Sequence, residues 1–141
     1  MADDASDFAR SMTIATSGLR AQAGRMRVIS ENIANADSTA ATAGGNPYRR
    51  KVPTFSSALD RTLDAKVVTL GKVRPDQSSF RVKYEPSNPA ADGQGNVKYP
   101  NVNPLVEMTD MREAQRSYEA NLNIISATRR MIQRTLDILK S

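Results

Sequence analysis

Residues 103–139, NPLVEMTDMREAQRSYEANLNIISATRRMIQRTLDIL, decide how this chain folds. Met108, Met111, Gln115, Tyr118, Leu122, Ile125, Arg129, Ile132, Leu136 and Leu139 follow one another in steps of three and four. That spacing keeps them on one stripe of an α-helix, in the a and d places of a heptad. Asn103 is a good cap, and Pro104 suits a first helical position, where its missing N–H is not needed. Leu105, Ile124, Met131 and Ile138 lie beside the stripe and widen it.

The start of the chain carries a second stripe of the same kind. From about Ser6 to Ala36, the residues Phe8, Met12, Ala15, Leu19, Gln22, Met26, Ile29 and Ile33 alternate in steps of four and three, and only Gln22 is polar. Gly18 and Gly24 each cost about 1 kcal/mol relative to Ala inside a helix. Two readings stand side by side: simple tolerance, or close approach of a neighbouring helix. The charges orient the pair. Asp3, Asp4 and Asp7 begin the chain, and Arg129, Arg130, Arg134 and Lys140 end it. Antiparallel packing puts opposite charges together, and each sign also suits its own helix dipole.

Between the helices, residues 37–100 hold six of the seven prolines and two clusters rich in Ala, Gly, Asn and Ser. Phe80, Val82 and Tyr84 alternate with Arg81 and Lys83, which predicts a half-buried strand. Val97 and Tyr99 flank Lys98 after the turn Asp92-Gly93-Gln94-Gly95, and Val67, Val68 and Leu70 suggest a further strand. The expected fold is mainly α with a small β insertion. An antiparallel, coiled-coil-like hairpin of N- and C-terminal helices (1–36 and 101–141) carries a small β-rich domain (37–100) at its tip.

Composition narrows the function. The 141 residues include 39% hydrophobic and 5% aromatic side chains, and no Trp. A hairpin with so narrow a core is marginal alone and gains order by packing against copies or partners. The absence of Cys and His excludes thiol nucleophiles, disulfides, imidazole–thiolate zinc sites and His-based acid–base catalysis. No stretch of 18 apolar residues spans a bilayer, and the acidic start is not that of a cleavable secretory signal.

Searches for chemistry end in structural readings. Gly44-Gly45 lacks the spacing of a phosphate loop, and the Asp92–Asn96 turn lacks the ligands of a calcium loop. Asp110, Glu113 and Glu119 interleave with Arg112 and Arg116 as a solvated helix face. Met108, Met111 and Met131 read as packing residues rather than metal ligands. Arg49-Arg50-Lys51, preceded by Tyr48, is the sharpest basic cluster. With a net charge of +5 it raises a basic coiled-coil nucleic-acid binder as an alternative. No groove-reading motif accompanies it, so a structural or inter-subunit salt-bridging role is favoured.

The two ends resemble the paired terminal regions of the flagellar rod and hook family. Ser17-Gly18-Leu19 and Val28-Ile29-Ser30-Glu31-Asn32-Ile33-Ala34-Asn35-Ala36-Asp37-Ser38-Thr39 are similar to its N-terminal signature. Val106-Glu107-Met108-Thr109-Asp110-Met111, followed by Ala114-Gln115-Arg116-Ser117-Tyr118-Glu119-Ala120-Asn121, is similar to its C-terminal helix. Gly44-Gly45-Asn46-Pro47-Tyr48-Arg49-Arg50-Lys51 and Tyr99-Pro100-Asn101-Val102-Asn103 narrow the resemblance to the proximal rod type; another axial protein of the family is the alternative. Gly95-Asn96-Val97 and Ala114-Gln115-Arg116 depart from the family pattern in detail.

The resemblance implies a structural subunit and no enzyme or cofactor. It implies export without a cleavable signal through the flagellar type III apparatus, then helical assembly in the periplasmic part of the basal body as a torque-transmitting shaft. The implied partners are copies of the chain, neighbouring rod proteins and the rod-to-ring junction protein, without nucleic acid or a membrane span. Inter-helix and subunit packing is expected from Phe8, Met12, Leu19, Met26, Ile29, Ile33, Met108, Met111, Tyr118, Leu122, Ile125, Ile132, Leu136 and Leu139. The family motif residues are Asn32, Ala34, Asn35, Tyr48, Arg49, Arg50, Lys51, Tyr118, Ala120 and Asn121.

Overall fold

The computed structural model describes residues 2–140, with side chains from Ala5 to Lys140. Two long helices enclose the rest of the chain in sequence: α1 is Ala2–Ala34 and α2 is Pro104–Lys140. The start of α2 is capped as its sequence demands. Asn103 accepts the Leu105 N–H on its side chain and the Glu107 N–H on its carbonyl, both at 3.1 Å. At the end of α1, the Ala36 N–H turns back to the Ile33 carbonyl at 3.2 Å, and the Asn35 side chain donates to the Glu31 carbonyl at 2.9 Å. The bond from Ala36 gives the Ile33 carbonyl a partner in the tightened last turn.

Six short strands lie between the helices as three separate antiparallel pairs. β1 (Lys51–Val52) pairs with β4 (Arg74–Pro75), β2 (Phe55–Asp60) with β3 (Ala65–Leu70), and β5 (Arg81–Tyr84) with β6 (Asn96–Tyr99). Asp64 closes the β2–β3 turn at φ 46°, a left-handed conformation that Asp tolerates. Gly95 closes the long β5–β6 connection at φ 80°. A Cβ there would lie 2.8 Å from the Tyr84 ring, so only glycine fits.

The chain divides into two compact units. The first takes the chain up to Met26, then Thr54–Lys72, and again from Glu113. In it α1 and α2 run side by side in opposite directions. Arg25 meets Glu113 at 3.3 Å, and Gly18 lies flush against Asn121. Phe8 and Met12 share an apolar groove of about 520 Å³ with Ile132, Leu136 and Leu139. The fully covered side chains are small: Ala15, Ala21, Ala65, Ala114 and Thr128. The β2–β3 hairpin lies along α1, where Ser17 accepts the Val68 N–H at 3.2 Å and Arg10 donates to the Leu63 carbonyl at 2.7 Å. Leu70 fills the notch left by Gly24.

The second unit comprises Arg27–Pro53 and Val73–Arg112. Val28, Ile29, Ala36, Ala90, Val97 and Val102 form its apolar core, and Asn32 and Glu107 are buried with them. Among the described residues no helix is long and apolar enough to cross a membrane.

The mainly α chain with a small antiparallel β region matches the sequence reading, but several details differ. The strands form three separate pairs rather than one unit. Arg81–Tyr84 is exposed along its length, not half-buried. The β2–β3 hairpin is held beside α1 instead of beyond a hairpin tip. Asp7 pairs with Arg10 one turn on, at 3.5 Å, while the side chains of Asp3 and Asp4 lie outside the described residues.

Candidate functional site

In the second unit the conspicuous feature is a buried polar hub. Asn32 and Glu107 are 1% and 0% exposed. The Asn32 amide makes the four hydrogen bonds open to it. Its oxygen accepts from the Tyr48 hydroxyl at 2.8 Å and the Lys51 N–H at 2.9 Å. Its nitrogen donates to the Lys51 carbonyl at 2.8 Å and to Glu107 Oε2 at 3.1 Å. Glu107 Oε1 accepts from Arg50 Nε. A buried carboxylate is tolerable only with such partners.

Arg50 is gripped further. Asp76 stands 3.4 Å and Asp110 3.7 Å from its remaining guanidinium nitrogens. Burial works against its charge, but the hydrogen bond and charge of Glu107, then those of Asp76, more than offset this and raise its pKa. The Ser78 backbone N–H, then its hydroxyl, then Arg50 hold Asp76 below the usual carboxylate range. Burial first, then Glu31 and Glu107, push the Tyr48 phenol up to about 12. Lys51 pairs with Glu31, and Arg49 donates to the Asp76 and Ser78 carbonyls while stacking 4.2 Å over Phe80. Asn101 bridges the Arg50 N–H to the carbonyls of Asp76 and Ser78. The basic cluster is thus spent on carboxylates and carbonyls of its own chain rather than turned outward to phosphates.

In the first unit the conspicuous feature is the outer surface of α2. Leu122, Ile124, Met131, Leu136, Ile138 and Leu139 are exposed, Ile138 by 74%. Ala114 and Thr128 are buried, and Asn121, half-buried between them at heptad spacing, meets Gly18 of α1; Ile125 and Ile132 are half-buried beside this column. In the second unit Glu107 begins the same spacing. The sequence reading had assigned that column to Met108, Gln115, Leu122, Arg129 and Leu136, one residue later. All five are exposed. The other column, with Met111, Tyr118, Ile125 and Ile132, is at least half-buried, whereas Leu139 at its end is exposed. The small residues face inward because Gly18 and the alanines of α1 let the helices approach closely.

The remaining packing residues of α1 divide by burial. Ile29 is buried, and Phe8, Met12, Leu19, Met26 and Ile33 are half-buried. Of the motif residues, Asn32, Tyr48, Arg49, Arg50 and Lys51 meet in the hub. Asn35 closes α1, Asn121 lies on Gly18, and Ala34 and Ala120 are exposed. Sequence reasoning did not single out Glu31, Asp76, Asn101 or Glu107 for the hub. The heptad spacing of Glu107 to Ala114, Asn121 and Thr128 is the signal that was there to read.

Two helices that bury small residues and expose large ones describe a building block. Family comparison agrees. The family of flagella basal body rod proteins matches residues 12–41, and the C-terminal family of flagellar basal body rod FlgEFG proteins matches residues 94–138. The chain is 53% identical to the flagellar basal-body rod protein FlgC of Agrobacterium fabrum over 91% of its own length and 92% of that relative. It is 38% identical to FlgC of Bacillus subtilis (92% and 97% covered) and 38% identical to FlgC of Salmonella typhimurium (89% and 92% covered). The chain belongs to the FlgC family of flagellar basal-body rod proteins. It is a structural protein of the basal body and not an enzyme.

Proposed function

We propose that this structural rod subunit joins a helical array through the exposed flanks of α2, with α1 and α2 acting as an antiparallel coiled-coil pair. The observation that carries this reading is the placement of large apolar side chains on both sides of α2. Leu122 and Leu136 line one flank, and Ile124, Met131 and Ile138 the other. A monomer gains nothing by exposing them; a helix with neighbours on both flanks buries each. Copies of the chain and other rod proteins are the neighbours, with the rod-to-ring junction protein at the end of the array. The type III export apparatus delivers the chain to the periplasm, where the array transmits torque. In this division of labour, residues 1–36 and 101–141 do the packing and 37–100 is the insertion.

The test is Met131→Asp in the full chain. It should be synthesised and exported at wild-type level yet be missing from purified basal bodies, and the cells should not swim. Normal incorporation of this variant contradicts the assignment of the flank.

A further inference from the structure

Apolar packing alone does not choose how far one helix has slid along another. The interior of the second unit is held by Val28, Ile29 and Val102, whose attraction is non-directional. A heptad stripe repeats after seven residues and accepts a slip of that length. The Asn32 amide does not. Its four hydrogen bonds, to Tyr48, to both backbone groups of Lys51 and to Glu107, exist at one setting only. Glu107 in turn reaches Asn32 with one oxygen and Arg50 with the other. Any slide leaves two buried polar groups without partners, which costs more than the pair gains when intact. A single buried polar residue sets register in other helix pairs by this means.

We propose that Asn32 and Glu107 are positioning residues that fix one longitudinal register of α1 residues 27–34 against α2 residues 104–112. The stretch Tyr48–Lys51 closes the lock, since it bonds to both. That a subunit needs a single register follows from the rod-subunit reading; incorporation of Met131→Asp tests that reading separately.

The chain contains no cysteine, so spin labels can be placed at Ser30→Cys and Thr109→Cys, both exposed positions in this unit. Pulsed dipolar distances are then measured on the full chain. The labelled parent and its Glu107→Gln form, which keeps an oxygen toward Arg50, should each give one distance. Asn32→Leu combined with Glu107→Leu should keep its helix content by circular dichroism but gain a second, resolved distance, as a seven-residue slip moves one helix about 10 Å along its axis past the other. One unchanged distance in that chain overturns the proposal. If the doubly apolar chain loses its helices, Asn32→Ala is read the same way. A split distribution there supports the lock, and a single parental distance overturns it.

Discussion

The side-chain nitrogen of Asn32 donates to Glu107 across 3.1 Å in an interior where neither residue is more than 1% exposed. These residues are 75 apart in sequence, and the bond ties the end of one helix to the start of the other. Arg50 completes the group from a third segment.

Removing the carboxylate strips Arg50 of its most buried partner and leaves the Asn32 nitrogen short of an acceptor. Glu107→Ala should destabilise the chain by about 3–5 kcal/mol, the range for breaking a buried charge pair. Glu107→Gln should cost less, because an amide oxygen still accepts. Urea unfolding followed by circular dichroism gives both values, and equal losses would contradict the role of the acceptor.

Tyr48 gives the hub a pH signature. Its phenol is pushed up to about 12, from an ordinary value of 10.0, so folding favours the neutral form. That contribution is complete below pH 10 and is lost as the pH rises through about 12. The parent chain should therefore lose stability over that window by a step absent from Tyr48→Phe. At neutral pH the Phe variant should lose about 1 kcal/mol with the hydrogen bond to Asn32. Thermal melts of both chains from pH 9 upward measure the difference; parallel curves would contradict it.

Gly18 allows Asn121 to lie against the backbone of α1. A Cβ at Gly18 would stand 2.9 Å from Asn121 Oδ1, inside normal contact. Gly18→Ala should therefore realise none of the ~1 kcal/mol that replacing a helical glycine usually provides. Adding Asn121→Ala should release that gain. A thermal double-mutant cycle reads the coupling, and additive effects would show that the two residues do not meet.

The two units should also differ in local stability. The second buries valines, an isoleucine and a satisfied polar hub, while among the described residues of the first only alanines and a threonine are fully covered. In a verified monomer, amides of residues 28–34 and 105–111 should exchange more slowly than those of 9–20 and 122–138. Hydrogen exchange read by mass spectrometry decides it; uniform strong protection would contradict the dependence of the first unit on assembly.

Much of this architecture was legible. Asn103-Pro104 marks the start of α2, and the alternation around Val82 and Val97 marks the β5–β6 hairpin. The Arg49–Lys51 cluster stands out in the sequence, but its partners do not. Glu31, Asp76 and Glu107 come from 20 to 57 positions away and Asp110 from further still, and no local pattern links them. The inward column of α2 was misplaced by one residue for a related reason. Counting hydrophobic side chains selects the largest, and in a building block the largest face the neighbours. Glu107, Ala114, Asn121 and Thr128 carry the right period but little hydrophobicity. β2 was missed because Phe55–Asp60 is exposed almost throughout and carries two adjacent serines, so it shows no apolar alternation.

The central claim is that the exposed flanks of α2 are subunit contacts of a rod. A helical reconstruction of the intact rod, with this chain traced in the map, tests it most directly. Ile124, Met131 and Ile138 on one flank, and Leu122 and Leu136 on the other, should all be buried against helices of neighbouring subunits. A rod in which these side chains face solvent, with the subunits joined through other surfaces, would contradict the account.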